Sequence, residues 1–231
     1  MILRLFNDDL DVEFSVEEPT VLFVEDYKSY VSIIRSIEEE TYLNARMPYL
    51  FLDDDGKKIT KKGAVYLQQD CLHFPKLGTP VKNKLFNVLR VRLREEFKDS
   101  EIERHAISIY EEILDASLDL WGDYNFEKDW DILTFLKGFK LEPDIGDEYS
   151  VLENQIAWLE FLSDIDMKLP VIYANLAKNI DQNDLKILLN QANFLQIPVL
   201  LIESGNSFSY LDNLNSYTID LDFCTFKNPV R

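Results

Sequence analysis

The apolar positions of the chain form three continuous runs that are typical of buried strands. These runs are PTVLFVED at 19–26, LPVIYAN at 169–175 and IPVLLIES at 197–204. Residues 27–37 and 181–195 carry apolar positions at helical spacing, so two of the runs lead into a helix. Because solid apolar strands must be covered on both faces, the pattern predicts a parallel sheet whose last two strands belong to a βαβ unit.

Shorter apolar runs predict further strands near both ends of the chain, at 2–6, 11–15, 49–52, 65–69 and 216–221. The last of these alternates apolar and polar residues, so we expect it at an edge of the sheet. The stretch DDDGKKITKK at 53–62 predicts a hairpin with Asp55–Gly56 as its turn. Aspartate and glycine tolerate the positive φ that a tight turn requires.

Between residues 80 and 165 the apolar spacing becomes helical. Helices are expected where apolar residues recur one turn apart, at 85–97, 102–113, 128–137 and 148–165. The chain is therefore predicted to be an α/β protein. Its α/β domain comprises 1–70 and 166–231, and a helical domain is inserted over 71–165.

The charge of the chain is strongly negative but unevenly distributed. The sequence holds 42 acidic and 24 basic side chains, which gives a formal net charge of −18. Residues 56–94 nevertheless contain ten basic side chains and a single acid, Asp70. This segregation predicts a localised basic surface on a protein that otherwise repels polyanions. The alternative is a basic patch that pairs with the acidic remainder, within or between subunits.

The composition favours a cytoplasmic location. No apolar run approaches the ~20 residues that span a bilayer, and the acidic N-terminal stretch is unlike a signal peptide. Cys71 and Cys224 are lone thiols without the spacing of a zinc site, as is typical of reduced cysteines in cytosolic proteins. We therefore expect no membrane partner.

The sequence lacks the motif that binds nucleotide phosphates in many α/β proteins. A P-loop protein places G-x-x-x-x-G-K-[ST] after a buried strand, where N–H groups at a helix start bind phosphate. Here PTVLFVED passes directly into YKSY, with no glycine and with acids at that position. We therefore expect no nucleotide partner and no ATP hydrolysis.

A metal-dependent nuclease is an alternative function. Asp144, Asp166 and Lys168 resemble the PD…D-x-K pattern, in which two acids hold Mg²⁺ and a lysine stabilises charge at the phosphate. In that pattern the acids lie on neighbouring strands. Here Asp144 is expected in a loop and Asp166 at the end of a helix, which argues against catalysis.

An acidic stretch at 118–133, LDLWGDYNFEKDWDIL, is a candidate calcium site. Its candidate ligands are Asp119, Asp123, Glu127 and Asp131. Hard oxygen ligands clustered in a loop before a helix are typical of Ca²⁺ binding. They are equally typical of a solvated acidic cap at a helix N-terminus, where negative charge is favourable.

The basic block favours contacts to the phosphate backbone of duplex DNA. Its candidate residues lie on the hairpin and on the first long helix: Lys57, Lys58, Lys61, Lys62, Lys82, Lys84, Arg90 and Arg94. No aromatic residues interleave with them, which argues against a stacking platform for single strands, and no recognition-helix signature is present. Phosphate contacts to duplex are independent of sequence and sensitive to salt. The alternative is an adaptor that docks an acidic protein partner through the same block.

The order of these elements resembles the Csn-two family of CRISPR-associated proteins. The resemblance runs from PTVLFVED and KSYVSIIRSI, through the basic hairpin and EEILDASLDLWGDYNFEKDWDILTFLKGFKLEPD, to the closing stretch from LPVIYAN to IPVLLIES. It covers nearly the whole chain and depends on the order of the strands and helices and on their apolar patterns rather than on catalytic residues.

The resemblance implies an accessory, non-catalytic protein of type II-A loci that acts in spacer acquisition. It implies a P-loop-like head without a nucleotide motif, an inserted helical leg, and a homotetrameric ring stabilised by Ca²⁺. Such a ring binds double-stranded DNA ends without sequence preference through a lysine-lined hole, and other adaptation proteins of the locus are expected partners. Asp123 and Glu127 match acids before the leg helix, whereas Asp119 and Asp131 are added by proximity.

Overall fold

The computed structural model describes most of the chain: residues 1–5, 10–38, 47–59, 65–95, 101–118, 120–122, 132–138, 141–144, 148–206, 211 and 214–228. The chain divides into two compact units. The first unit comprises Met1–Lys76 and Ile145–Arg231, and the second comprises Leu77–Asp144. Among the helices of the described residues, none has the length and apolar character needed to cross a membrane.

The strands of the first unit form two sheets. In chain order they are β1 (Ile2–Leu5), β2 (Leu10–Glu13), β3 (Thr20–Val24), β4 (Tyr49–Leu52), β5 (Lys58–Ile59), β6 (Tyr66–Gln68), β7 (Val171–Ala174), β8 (Val199–Ser204), β9 (Asn215–Ile219) and β10 (Thr225–Asn228). The smaller sheet has the order β2–β1–β4–β5 and is antiparallel. The larger sheet has the order β10–β9–β3–β8–β7–β6.

The predicted parallel sheet with a βαβ unit is confirmed. Strands β9, β3, β8, β7 and β6 run parallel to one another, and β10 is antiparallel to β9. The pairings Val21↔Leu201 and Val171↔Val199 fix the register at the centre of the sheet. Every residue of β3, β7 and β8 is buried, as expected for strands that are covered on both faces.

The prediction of an edge strand at 216–221 is wrong. Strand β9 pairs with β3 on one side and with β10 on the other, so it lies one position inside the edge. The edge strand β10 has the sequence TFKN, which lacks both a continuous apolar run and clear alternation. A short edge strand with a lysine gives little signal in a sequence, although such strands are common at sheet edges.

The helices of the described residues are α1 (Tyr27–Glu38), α2 (Thr79–Glu95), α3 (Ile102–Ser117), α4 (Ile132–Gly138), α5 (Val151–Asp164) and α6 (Gln182–Phe194), with a short 3-10 helix at Leu176–Lys178. Among the helices of the first unit, α5 and α6 begin at side-chain caps. Ser150 and Glu153 form a reciprocal capping box ahead of α5. The Asp181 carboxylate accepts a hydrogen bond from the Asp184 N–H at 2.9 Å ahead of α6.

Helix α5 belongs to the first unit, whereas the sequence pattern placed it in the helical insertion over 71–165. The Trp158 ring contacts the ring of Tyr66, which lies on edge strand β6, at 4.6 Å between centroids. The Asn154 amide donates to the carbonyl of Leu72 at 3.1 Å. The second unit therefore contains α2, α3 and α4, and α2 packs against α4.

The main core lies between the two sheets and α1. It joins Leu3 and Phe51 of the smaller sheet to Ile33 of α1 and to Leu22 and Ile202 of the larger sheet, all fully buried. The smaller sheet thus covers one face of the larger sheet together with α1. This packing places the β4–β5 hairpin on a rigid element, because β4 pairs with β1 in the same layer.

A buried carboxylate lies near the carboxyl end of β8. Glu203 is fully buried, and one of its oxygens accepts a hydrogen bond from the Ala177 N–H at 2.9 Å. Its other oxygen, Oε2, accepts none within the described part of the chain. Burial raises the pKa of Glu203 to about 7, although the Ala177 N–H and the nearby Lys178 favour the charged form.

Candidate nucleic-acid interface

The predicted basic hairpin is confirmed, and its turn is pinned by Asp53. Strands β4 and β5 are antiparallel, with Phe51 opposite Ile59. The Asp53 carboxylate accepts hydrogen bonds from the N–H groups of Asp55 at 3.1 Å and Lys57 at 2.8 Å. The backbone of Asp53 also bonds to Lys57 and Gly56, and Gly56 has a φ of 75°, which glycine adopts readily.

Two of the four hairpin lysines are described, and both are exposed. Lys57 ends the turn and Lys58 begins β5, so the pinned backbone sets the direction of both side chains. Lys61 and Lys62 lie outside the described residues. Asp53 was not among the predicted site residues, although an aspartate that precedes a turn is a recognisable signal for this kind of anchor.

The second group of candidate cations lies on α2. Lys82 and Lys84 are partly exposed near its beginning, while Arg90 and Arg94 lie one turn apart in its second half. Arg92 is also exposed but lies on the other side of the helix. The hairpin lysines belong to the first unit and the α2 cations to the second, so the predicted basic residues lie in two different units.

One candidate cation on α2 is already engaged in an ion pair. Lys82 Nζ lies 2.6 Å from Glu142 Oε1, on the segment that follows α4. The two residues are 60 positions apart, so no short-range spacing in the sequence could reveal the pair. Lys82 therefore differs from Arg90 and Arg94, because neither arginine forms an ion pair with any described residue.

The candidate calcium ligands Asp119, Asp123, Glu127 and Asp131 lie outside the described residues, and they stay predictions. Within the ranges that the structure describes, no group of three or more His, Cys, Asp or Glu side chains could hold a metal ion.

A family model for the CRISPR-associated protein Cas_Csn2 matches residues 44–223, well over half of the chain. The chain belongs to the Csn2 family. The predicted family is thereby confirmed, and membership implies a CRISPR-associated role in adaptation. No curated protein matches the chain.

Among solved structures, the chain is similar to Stu0660 of Streptococcus thermophilus. The TM-score is 0.60 at 11% identity, over 100% of this chain and 77% of that chain, which supports the predicted α/β fold. Two ATP-binding cassettes of ABC transporters, one nucleotide-free and one, MJ1267, with ADP, match with TM-scores of 0.45. Their identities are 14% and 15%, and the matches cover 94% of this chain and 87% and 86% of theirs.

In this Csn2-family chain, a carboxylate occupies the helix start that follows β3. Asp26 accepts hydrogen bonds from the N–H of Ser29 at 2.8 Å and from its hydroxyl at 2.7 Å. These hydrogen bonds lower the pKa of Asp26. Because the carboxylate already accepts the N–H bond at the N-terminus of α1, a phosphate there would meet a negative charge.

The residues of the nuclease alternative are distributed over both units of this Csn2-family chain. Asp144 lies in the second unit, in an exposed segment after α4. Asp166 lies in the first unit, in a turn after α5 with a φ of 53°, and Lys168 follows it. Neither acid lies on a strand, so the described residues do not form the pair of strand-borne acids that the PD…D-x-K pattern requires.

Proposed function

We propose that this protein binds ends of double-stranded DNA without sequence preference, as a calcium-stabilised homotetrameric ring that acts in spacer acquisition. The protein itself is non-catalytic, acts in the cytoplasm and has other adaptation proteins of its locus as partners. The observation that carries the proposal is the pair of exposed lysines on the pinned hairpin of a chain with a net charge of −18. The family assignment supports the role in adaptation.

The charge pattern supports binding to the DNA backbone. Duplex DNA carries one charge per ~1.7 Å of its axis, and each lysine that neutralises a phosphate releases counterions. Such contacts are independent of sequence. The acidic remainder of the chain repels DNA, so productive contacts are confined to the basic residues of the hairpin and of α2.

The exposed apolar side of helix α3 supports the proposal that copies of the chain associate with one another. The apolar residues of α3 lie on one side of the helix, and five large ones are exposed: Ile107, Ile109, Tyr110, Ile113 and Leu114. Among its described residues only Ala106 and Ser117 are buried. An amphipathic helix with an exposed apolar face is typical of an interaction surface. In a symmetric oligomer the same face on a second copy can cover it.

A ring gives the weak phosphate contacts of each chain a large combined effect. Each chain needs to supply only a few lysines, because symmetry repeats them around one duplex and makes the later contacts intramolecular. Calcium held by Asp119, Asp123, Glu127 and Asp131 would neutralise part of the acidic charge of the helical unit and thereby stabilise the assembly.

The test compares linear and covalently closed circular duplex of the same length and sequence in a gel-shift assay with Ca²⁺. We expect linear DNA to bind at least roughly tenfold more tightly, because a closed ring must thread over an end. Equal binding to both forms would contradict the ring and indicate an open basic surface. Binding to neither form would contradict the proposal and favour the adaptor that docks an acidic protein.

Replacing Lys57 and Lys58 together with Gln is expected to weaken binding to linear duplex roughly tenfold or more and to flatten its salt dependence. The loss should be the same for duplexes of unrelated sequence. Lys28→Gln with Lys186→Gln is the matched control, since both lysines are exposed in the first unit and the change in charge is identical. An equal loss in both double variants would assign the effect to net charge and remove the hairpin from the interface.

A further inference from the structure

Glu142 forms an ion pair with one of the candidate DNA-binding lysines. Lys82 lies in the first turn of α2, and its ammonium donates to Glu142 Oε1 at 2.6 Å. Both residues belong to the second unit. Their side chains are 33% and 61% exposed, so a large ligand can approach the pair from solvent.

The position of Lys82 explains why it takes an acidic partner. The N-terminus of a helix carries a partial positive charge, so a lysine in the first turn is electrostatically unfavourable by itself. Helix α2 has no acidic residue in that turn, and the Glu142 carboxylate offsets the charge from the segment after α4. A backbone phosphate of DNA presents the same kind of anionic oxygen to an ammonium group and can take the place of the carboxylate.

We infer that Glu142 regulates the proposed DNA interface by competing with backbone phosphates for Lys82. The inference rests on the proposed function, because it needs DNA to contact α2. In the free protein the pair neutralises one positive charge per chain. When a phosphate takes Lys82, the Glu142 carboxylate still lies near the DNA and repels it, so Glu142 weakens binding in both states.

A phosphate can compete with Glu142 for Lys82, because an exposed ion pair such as Lys82–Glu142 is only weakly stabilising. Replacing Glu142 with Gln keeps an oxygen near Lys82 but removes the charge. We expect this variant to bind linear duplex about two- to fivefold more tightly per chain. Its salt dependence should steepen, since one more lysine per chain is then available for counterion release, with a slope change of about 0.9 per contact.

The experiment measures duplex affinity by fluorescence anisotropy over a salt series for the wild type, Glu142→Gln, Lys82→Ala and the double variant. Glu112→Gln is the matched control, because Glu112 is an exposed acid of the same unit on the polar side of α3. The expected result is tighter binding by Glu142→Gln than by Glu112→Gln, and no such difference in the Lys82→Ala background. Thermal melting of each variant establishes that the second unit is folded.

Three outcomes overturn the inference, and they are distinguishable. If the wild type binds duplex and Glu142→Gln behaves like Glu112→Gln, the proposed function stands and the competition at Lys82 does not exist. If Glu142→Gln also tightens binding in the Lys82→Ala background, the effect is general electrostatics rather than release of Lys82. If neither the wild type nor any variant binds duplex, the proposed function fails and the inference fails with it.

Discussion

Replacing Glu203 with Gln is expected to remove a pH dependence of stability worth about 2 kcal/mol between pH 5.5 and pH 8. The measured quantity is the difference in the free energy of unfolding between variant and wild type, from urea denaturation at each pH. We expect this difference to shift in favour of the variant as the pH rises. This pH range lies above the pI of about 4.5. At the pI the net charge is close to zero and the protein is prone to precipitate.

The physical cause is the burial of a carboxylate without full compensation. Glu203 is fully buried, one oxygen accepts the Ala177 N–H, and Oε2 accepts no hydrogen bond among the described residues. Lys178 attracts the charged form, while Tyr30 of α1 and Cys71 after β6 are the other titratable groups that interact electrostatically with Glu203. Burial dominates and raises the pKa of Glu203 to about 7, compared with 4.5 in the unfolded chain.

The direction follows from which state binds the proton. Between pH 4.5 and pH 7 the folded protein keeps Glu203 protonated while the unfolded chain releases the proton. The favourable contribution is therefore complete below the unfolded pKa and is lost as the pH rises through the folded pKa. Glutamine has no charge to bury, so its contribution is constant, although its amide group lacks an acceptor at the position of Oε2.

Glu17→Gln is the control, since Glu17 belongs to the same unit and its side chain is exposed to water in the folded protein. Its difference from the wild type should change little over the same pH range. If the difference for Glu203→Gln is also flat, the Glu203 carboxylate is in contact with water in the folded protein and its pKa is not raised by burial.

The centre of the fold could be predicted from the sequence because its signals are local. The runs around β3, β7 and β8 are solid apolar stretches followed by turn or helix signals, and such strands have few alternatives to a covered parallel sheet. The Asp55–Gly56 turn was likewise predictable, because the positive φ of Gly56 is a local requirement of the backbone.

The errors in the fold arose where long-range packing decides the outcome. The apolar spacing predicted α5 as a helix but carried no information about its partner, and the helix packs in the first unit. Strand β10 has only four residues and gains its structure from pairing with β9. Periodicity identifies an element more reliably than it identifies the element's neighbours.

In the candidate site, too, local features could be predicted from the sequence and long-range contacts could not. The charge pattern identified Lys57 and Lys58 because clustering of basic residues is visible along the chain. It could not identify Glu142 as the partner of Lys82, since the two are brought together only by the packing of α2 against α4. Glu203 gave no signal either, because an acid near the end of a strand is usually solvated.

Replacing Trp158 with Ala is expected to lower the free energy of unfolding of the first unit by ~3–5 kcal/mol, the largest loss for any single substitution considered for this protein. Trp158 is fully buried on α5 and anchors an aromatic cluster. Its ring centroid lies 4.6 Å from Tyr66, 5.6 Å from Phe74 and 5.8 Å from Phe161. Removing the indole leaves a cavity that these rings cannot fill, and it separates α5 from the edge strand β6.

Trp158→Phe separates packing from hydrogen bonding. The indole Nε1 has no hydrogen-bond partner within the described part of the chain, so phenylalanine gives up volume but no polar contact. We expect a loss of about 1–2 kcal/mol for this variant, well below that of Trp158→Ala. Phe194→Ala is the control, because Phe194 is an aromatic residue of the same unit that is 80% exposed, and its removal should change stability by less than about 0.5 kcal/mol. Equal losses for the Phe and Ala variants at Trp158 would mean that the N–H group, and not the aromatic packing, holds α5 against the sheet.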